Sequence, residues 1–252
     1  MRIHFTASPR PDAQAALSRL TERYGQAAAD KAEIVVPLGG DGWMLDTLHD
    51  RFGDGLPVYG MHRGSVGFLM NEYSEENLVD RIAAADHAVI YPLEMRVERS
   101  NGETETRLAI NEVSLIRSSA QTAKLRIIVD GKERLKELAC DGVLLATPAG
   151  STAYNLSAHG PILPIGSNLL ALTPISPFRP RRWRGAILRR EAVVVFENLD
   201  CDRRKVAASA DTQEVTDVRS VEVRENRDLP LTLLFDEGQA LDERILQEQF
   251  AY

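Results

Sequence analysis

The sequence is poor in cysteine, in positive charge and in long apolar runs, and each shortage excludes a class of protein. Its two cysteines, Cys140 and Cys201, are too few and too far apart for a disulfide scaffold or a zinc site, so we expect buried thiols. A formal net charge of −7 argues against broad nucleic-acid binding, which depends on a basic surface. Since no apolar run approaches the roughly 20 residues that span a bilayer and the N-terminus lacks a signal-peptide core, we expect no membrane association and a cytoplasmic location.

The remaining composition is that of a soluble globular protein. Hydrophobic residues make up 44% and charged residues 27% of 252 residues, enough for one large domain or two small ones. There is no internal repeat and no low-complexity tract. Positive charge is concentrated at residues 178–184, Phe-Arg-Pro-Arg-Arg-Trp-Arg, which suits phosphate binding, a solvated basic loop or a subunit contact.

Residues 34–52 predict a strand, a glycine loop and the start of a helix. An apolar run at 34–36 is typical of a buried strand, Gly-Gly-Asp-Gly follows at 39–42, and the next residues place Leu45, Leu48 and Phe52 on one helical face. Such glycines let backbone N–H groups approach a ligand, and a helix N-terminus favours an anion such as phosphate. Asp41 would repel phosphate unless it binds a metal ion, holds a sugar hydroxyl or accepts a proton. The alternative is a simple turn in which Asp41 caps the helix.

Alternating strand and helix patterns predict an α/β domain over residues 1–90. Strands are expected at 2–7, 34–36 and 57–60, and helices at 12–24, where Gly25 ends the helix, and from Ser74 to about residue 85. This order implies a parallel sheet. A ligand should lie at the carboxyl ends of its strands, where the glycine loop and the loop at 62–68 fall.

From Tyr91 onward the pattern predicts a second, β-rich domain over residues 91–229. Short β-runs occur at 93–98, 107–116, 125–129, 142–147, 192–197, 206–208 and 221–224. Asp130-Gly131 is a hairpin signal. Residues 230–252 return to a strand at 231–235 and a helix at 240–250, and we expect them to pack on the first domain through Leu241, Ile245, Leu246 and Gln249.

Two polar stretches in the second domain are candidates for ligand contacts. Asn111 and Glu112 interrupt an apolar strand-like run at 109–115; an amide reads a base edge or another amide, and a carboxylate accepts from ribose hydroxyls. The alternative is an edge strand that turns its polar face to water. In the second stretch, 141–157, a buried strand ends at Pro148, small residues follow, and Ser151 or Thr152 caps a helix that begins near Ala153. This stretch is either a second nucleotide-contacting wall or only a tight turn.

The three motifs together resemble bacterial NAD kinases, over roughly residues 34–215. Gly-Gly-Asp-Gly alone is shared with lipid kinases and phosphofructokinase-like enzymes, but Asn111-Glu112 and Asp141-Gly142 leading to Thr-Pro-Ala-Gly-Ser-Thr-Ala-Tyr at 147–154 follow it in the family's order. The resemblance implies an N-terminal Rossmann-like parallel-sheet domain, a C-terminal β-sandwich-like domain, and NAD bound between them in a homodimer or homotetramer. The implied reaction transfers a phosphoryl group from ATP or polyphosphate to the 2′-hydroxyl of the adenosine ribose of NAD, which gives NADP.

The resemblance also implies roles for individual residues. Asp41, ionised at neutral pH, matches the general base that accepts the 2′-hydroxyl proton, and Phe68 matches an adenine-facing aromatic. The phosphate loop is Gly39, Gly40 and Gly42. Besides Asp41, Gly42 and Phe68, the implied NAD-binding positions are Asn111, Glu112, Asp141, Ala149, Thr152, Ala153, Tyr154, Asn155, Leu156, Ser157 and Gln213. We expect Mg²⁺ or another divalent metal to bridge the donor's phosphates, and no residue is assigned as a metal ligand.

Some residues depart from the family pattern. Trp43 stands where the family commonly has threonine, Asp46 where it often has arginine, and His62-Arg63 where many members carry asparagine. These changes bear on the phosphate donor more than on NAD. A lipid or sugar kinase and a non-catalytic dinucleotide-binding regulator are the competing hypotheses; the stretch at 141–157 argues against the former, and Asp41 with Asn111-Glu112 argues against the latter.

Overall fold

The computed structural model describes residues 1–64, 67–239 and 241–250. The chain divides into two units, one formed by Met1–Ile90 with Leu229–Tyr252 and the other by Tyr91–Asp228. Within the described residues, no helix is both long enough and apolar enough to cross a membrane.

The elements follow one another in chain order. The first unit begins with β1 (Ile3–Ala7), α1 (Pro11–Tyr24), β2 (Ile34–Gly39), α2 (Asp41–His49), β3 (Met61–His62), α3 (Leu78–Ala83) and β4 (Asp86–Ile90). The second unit contains β5 (Leu93–Arg99), β6 (Thr104–Ala109), β7 (Glu112–Arg117), β8 (Ala123–Val129), β9 (Lys132–Cys140), β10 (Gly142–Ala146), α4 (Tyr154–Ser157), β11 (Leu169–Ile175), β12 (Ala186–Arg189), β13 (Val194–Asn198), β14 (Val206–Ala210), β15 (Gln213–Val215) and β16 (Val218–Glu225). The chain then returns to the first unit with β17 (Leu231–Phe235) and α5 (Leu241–Gln249).

The first unit is built on a three-stranded parallel sheet in the order β1-β2-β3. β2 is buried along all six residues, which explains its continuous apolar sequence, and its partner β1 runs in register from Ile3↔Ile34 to Ala7↔Leu38. Ala16 and Leu20 of α1 pack on this sheet, four residues apart as one helical face requires. β17 pairs with β4 and is joined to the parallel sheet by bridges at Val58.

The second unit contains two six-stranded antiparallel sheets, ordered β12-β11-β10-β7-β14-β15 and β6-β5-β16-β13-β8-β9. Alternate residues of β8 are buried along its whole length, so one face of that strand points to the core. The core includes side chains from both sheets, such as Val113 and Leu115 from β7 and Val221 and Val223 from β16. Two sheets that share one apolar layer form a sandwich. The predicted fold class, a parallel-sheet domain with a β-sandwich-like domain, is confirmed.

In the first unit the structure corrects three local predictions. The strand expected at 57–60 is reduced to Val58, which forms isolated bridges to Val35 and Leu233, and the regular pairing comes later, in β3. The helix expected from Ser74 begins only at Leu78, because the Ser74 hydroxyl accepts from the Glu76 N–H in a local turn. The buried face of α2 consists of Met44, Thr47 and Leu48, whereas Leu45 is half-buried and Phe52 lies beyond the helix.

In the second unit the run expected at 107–116 is two strands, β6 and β7, separated by a bend at residues 110–111. Besides β3, the strands that were not predicted are β4 of the first unit and β9, β11, β12 and β15 of the second. The Asp130-Gly131 hairpin is confirmed, with both residues at positive φ. Cys140 is buried, which raises its thiol pKa to about 12, but Cys201 is only half-buried, so the expectation of two buried thiols is half right.

The expected C-terminal helix is confirmed as α5. Leu241 and Ile245 are buried as predicted. Leu246 is 47% exposed, so it does not belong to the packed face, and the side chain of Gln249 lies outside the described residues.

Candidate functional site

Asp41 is the first residue of α2 and lies directly after the carboxyl end of β2. Its Oδ2 accepts a hydrogen bond from the Phe68 N–H at 2.6 Å, and its Oδ1 accepts one from the Leu69 N–H at 3.0 Å. Gly40 occupies the N-cap position, and no described side chain makes a capping bond there. The alternative in which Asp41 caps the helix is therefore wrong. Its carboxylate instead fixes the loop that follows β3.

Gly67 gives this carboxylate its space. A methyl group on Gly67 would lie 2.2 Å from Oδ1 and 2.8 Å from Cγ of Asp41, far inside van der Waals contact. The φ of Gly67 lies outside the left-handed region, so the requirement is for room and not for a glycine-only backbone. Gly67 was not predicted, because Asp41 lies 26 positions earlier in the chain.

The glycines of the 39–42 motif serve different purposes. A methyl group on Gly39 would lie 2.8 Å from the Trp43 Cβ, whereas one on Gly40 or Gly42 would meet no described atom within 4 Å. The backbone at Gly40 and Gly42 is thus open to a ligand. Gly42 lies in the first turn of α2 and not in the preceding loop, so its N–H is among the free donors that a helix start offers to an anion.

Asn111 and Glu112 lie at the break between β6 and β7. The Asp211 carboxylate accepts hydrogen bonds from the backbone N–H groups of Ile110, Asn111 and Glu112, at 2.7, 2.9 and 3.2 Å. Asp211 itself stands at positive φ in the turn between β14 and β15. It therefore holds the turn in place from about 100 residues away. Asp211 was missed as a site residue, and only its neighbour Gln213, exposed at the start of β15, was predicted.

Glu112 carries a carboxylate that is not fully satisfied. Its Oε2 is buried and has no hydrogen-bond partner among the described residues. Burial, assisted by the nearby Asp211, raises the pKa of Glu112 to about 7, although the Tyr154 N–H donates to it and acts in the opposite sense. An unpaired buried oxygen is costly, and a ligand hydroxyl or amide would satisfy it.

The small-residue stretch after β10 is tightly tied to the Asn111 turn. The Thr147 hydroxyl donates to the Ile110 carbonyl at 2.8 Å and accepts from the Gly150 N–H at 3.0 Å. A methyl group on Gly150 would lie 2.1 Å from the Asn111 carbonyl oxygen. The close approach of these two segments explains why a glycine stands there.

The rest of this stretch forms a 3₁₀ turn, Ala149–Thr152, and then α4. The expected cap is wrong: Ala153 occupies the N-cap position without a capping side chain from the described residues, and the Ser151 hydroxyl donates to the Pro148 carbonyl. Asn155 is buried, donates to the Ser151 and Pro161 carbonyls and accepts from the Thr173 hydroxyl. Its side chain thus orders the stretch from within.

The other predicted NAD-binding positions of this stretch differ in exposure. Tyr154 and Ser157 are exposed, Thr152, Ala153 and Leu156 are half-buried, and Ala149 is buried. Asp141, in the turn before β10, accepts from the Arg117 guanidinium at 2.6 Å. Asn111, Glu112, Asp141 and the 149–157 stretch all belong to the second unit, whereas Asp41 and Phe68 belong to the first.

Comparison with known proteins identifies the family. A family model described as the ATP-NAD kinase C-terminal domain matches residues 110–224. An NAD kinase of Hyphomonas neptunium is 57% identical over 252 residues, covering 100% of this chain and 99% of its own length. The chain belongs to the NAD kinase family.

Two solved structures share the NAD kinase fold. A yeast NADH kinase complexed with NADH superposes with a TM-score of 0.86 at 21% identity, covering 99% of this chain and 87% of its own. An NAD kinase from Archaeoglobus fulgidus in complex with ATP has a TM-score of 0.78 at 21% identity, covering 98% of this chain and 99% of its own. At this identity the likeness establishes the fold.

Two of the residues that depart from the usual NAD kinase pattern, Trp43 and Arg63, make side-chain contacts within the first unit. The Trp43 indole N–H donates to the Thr6 hydroxyl at 3.3 Å, so Trp43 packs back over the end of β1. The Arg63 guanidinium lies 4.2 Å from the centroid of the Tyr73 ring. In the basic stretch at 178–184, Arg179 and Arg181 lie 5.4 and 5.0 Å from the Phe178 ring centroid.

No group of three or more His, Cys, Asp or Glu side chains that would hold a metal ion occurs in the described part of the chain.

Proposed function

We propose that this chain phosphorylates NAD to NADP and that Asp41 is its general base. Asp41 would accept the proton of the adenosine 2′-hydroxyl as that oxygen attacks the terminal phosphorus of ATP or polyphosphate. The bond from that phosphorus to the donor's bridging oxygen breaks, and the shortened donor leaves. Membership of the NAD kinase family, at 57% identity over the full chain, supports this reaction.

The observation that carries the assignment of the base is the hydrogen bonding of Asp41. A carboxylate offers about four acceptor positions, and two of them are taken by the Phe68 and Leu69 N–H groups. The other positions are available to a substrate hydroxyl, while the two N–H groups fix the carboxylate's orientation. A base held in one orientation needs no reorganisation when the proton is transferred.

The second unit supplies the groups that would recognise the dinucleotide. The unpartnered Glu112 oxygen is suited to a ribose hydroxyl, and Asn111, fixed by Asp211, to an adenine edge or an amide. Asp141 and the positions from Ala149 to Ser157, with Gln213, would complete the NAD contacts. Phe68 would face the adenine ring, and the open backbone at Gly40 and Gly42 would approach phosphate.

The donor would enter with Mg²⁺ or a similar divalent cation. Phosphate and carboxylate oxygens are the hard ligands that Mg²⁺ prefers, and the bound cation would neutralise charge on the donor's phosphates. This chain's own part is to orient the acceptor hydroxyl against Asp41 and to present bare N–H groups at the start of α2. We further expect a homodimer or homotetramer in the cytoplasm.

NADP formation from NAD with Mg²⁺ and either ATP or polyphosphate tests the proposal. Wild type should make NADP, and Asp41→Asn should lose on the order of 10²-fold or more in kcat, as removal of a general base does. Asp50→Asn, which changes an exposed carboxylate at the end of α2, is the matched control and should keep full activity. If wild type binds NAD but forms no NADP with either donor, the kinase proposal fails and the regulator hypothesis replaces it.

A further inference from the structure

Arg244 of α5 is bonded to the same short segment that holds Asp41. Its Nη1 donates to the Met70 carbonyl at 2.5 Å and to the Phe68 carbonyl at 3.3 Å. The N–H groups of Phe68 and Leu69 donate to Asp41. Residues 68–70 are therefore held from two sides, by a carboxylate on their donors and by a guanidinium on their acceptors.

The guanidinium of Arg244 is itself fixed within the first unit. Its Nε donates to the Gln239 carbonyl at 3.0 Å, and its carbon lies 5.0 Å from the centroid of the Phe235 ring. Arg244 is half-buried, and burial lowers its pKa, while the negative charges of Asp236 and Asp41 act in the opposite sense. A partly buried cation held by three carbonyls and an aromatic face has little freedom to move.

The next residue of the segment is anchored independently. The Asn71 side chain donates to the Gly60 carbonyl at 3.1 Å and to the Leu234 carbonyl at 2.9 Å, and its own N–H donates to Gly60 at 2.7 Å. Loss of Arg244 would thus release Phe68 to Met70 without detaching the chain that follows. Its effect should be local to the donors that orient Asp41.

We propose that Arg244 is a positioning residue for the reaction, which acts by holding the segment whose N–H groups orient the Asp41 carboxylate. The inference rests on the proposed role of Asp41. Arg244 needs no contact with substrate, because its effect passes through the backbone of residues 68–70. Through Arg244, the C-terminal helix α5 would contribute to catalysis, a role that its position in the sequence does not indicate.

Arg244→Met, which keeps the length of the side chain and removes its donors, tests the proposal. We expect kcat to fall about 10- to 100-fold, because small misplacements of a reacting group are costly. The KM for NAD should change less than about threefold, since Arg244 bonds to the segment that carries Phe68, whereas the proposed NAD contacts of the second unit are untouched. Arg244→Lys should recover part of the loss, and added guanidinium should partly restore Arg244→Ala. Leu246→Ala, on an exposed part of the same helix, is the matched control and should keep wild-type kinetics.

A second measurement separates positioning from general destabilisation. Backbone amide NMR resonances of Phe68 and Leu69 should lie downfield in wild type, as carboxylate-bonded N–H groups do, and should move upfield in Arg244→Met. Ile245→Ala, which shortens a buried side chain of the same helix, should lower the melting temperature but leave those resonances and kcat per folded molecule in place. Full kcat with unmoved amides in Arg244→Met would overturn the proposal, as would an equal loss of kcat in Ile245→Ala.

These outcomes are distinct from a failure of the proposed function. If wild type forms no NADP, the kinase proposal fails, whereas the amide resonances still decide whether Arg244 holds the segment. If wild type is active, Asp41→Asn is inactive and Arg244→Met is fully active, only the role of Arg244 is refuted.

Discussion

Replacement of Gly67 by alanine should displace the proposed base without altering its chemistry. The added methyl group would lie 2.2 Å from the Asp41 Oδ1, whereas ordinary van der Waals contact begins near 3.4 Å. The carboxylate or the loop must therefore shift by about 1 Å. A shift of that size in a reacting group costs about 10²-fold in rate, or close to 3 kcal/mol in activation free energy.

The assay is the steady-state rate of NADP formation, together with the melting temperature. We expect kcat to fall on the order of 10²-fold in Gly67→Ala, with a modest loss of stability because the bonds from the Phe68 and Leu69 N–H groups to Asp41 lengthen. The matched control is Gly25→Ala. Gly25 has a φ of +79° and no described atom within 4 Å of the added methyl group, so its replacement introduces backbone strain of about 1 kcal/mol far from Asp41.

The two variants distinguish a displaced carboxylate from a less stable protein. Gly25→Ala should melt at a lower temperature and keep its kcat, whereas Gly67→Ala should lose kcat even well below its melting temperature. A Gly67→Ala protein with wild-type kcat would refute the reasoning, because it would mean that the position of the Asp41 carboxylate does not set the rate.

Two further predictions concern the second unit. Burial raises the pKa of Glu112 to about 7. The favourable contribution of Glu112 to stability is therefore complete below about pH 4.5 and is lost as the pH rises through 7. Relative to Glu112→Gln, wild type should lose up to about 3 kcal/mol of unfolding free energy between pH 4.5 and 8. Denaturant unfolding at several pH values measures this difference, and parallel curves for the two proteins would contradict it. Gly150→Ala should lower the free energy of unfolding by about 3 kcal/mol and weaken NAD binding, because its methyl group would meet the Asn111 backbone, which no side-chain rotation relieves. Calorimetry and melting curves test this. The control is Gly166→Ala, where no described atom lies within 4 Å of the added methyl group and only the strain of a positive φ (+74°), about 1 kcal/mol, is added.

Local signals in the sequence predicted the elements whose causes are local. Gly25 ends α1 as predicted, and Ala16 and Leu20 recur at helical spacing on its buried face. The Asp130-Gly131 pair predicted a hairpin because both residues tolerate the positive φ that a tight turn needs. In these cases the residues that decide the structure lie within a few positions of it.

Other predictions failed because the deciding partner is distant or because a local signal serves a different structure. Ser74 resembles a helix cap, yet its hydroxyl closes a turn before α3. β9 was missed since charged and exposed residues fill most of it, which is typical of an edge strand. β11 contains Pro174, a residue that argues against a strand when only the sequence is read.

The motifs predicted the candidate site residues but not the residues that hold them in place. Asp41 stands out as a carboxylate within a glycine loop, and Asn111 and Glu112 stand out because they interrupt an apolar run. Asp211 and Gly67 do not stand out in the sequence. Asp211 is an ordinary turn aspartate, and Gly67 is one of 17 glycines. Their roles depend on residues that are distant in sequence. Asp211 accepts from the backbone donors of the Asn111 turn, and Gly67 leaves room for the Asp41 carboxylate.

Asp41 has two tasks, since it fixes the loop after β3 and is the proposed acceptor of the substrate proton. Asp41→Asn changes both, because an amide has one acceptor oxygen and its NH₂ group cannot accept the second N–H. Gly67→Ala and Arg244→Met retain the carboxylate and alter only its placement. If all three variants lose kcat and displace the Phe68 and Leu69 amides, orientation of the base sets the rate. If the loss is confined to Asp41→Asn, the presence of the charge is sufficient, and the backbone donors serve only the fold.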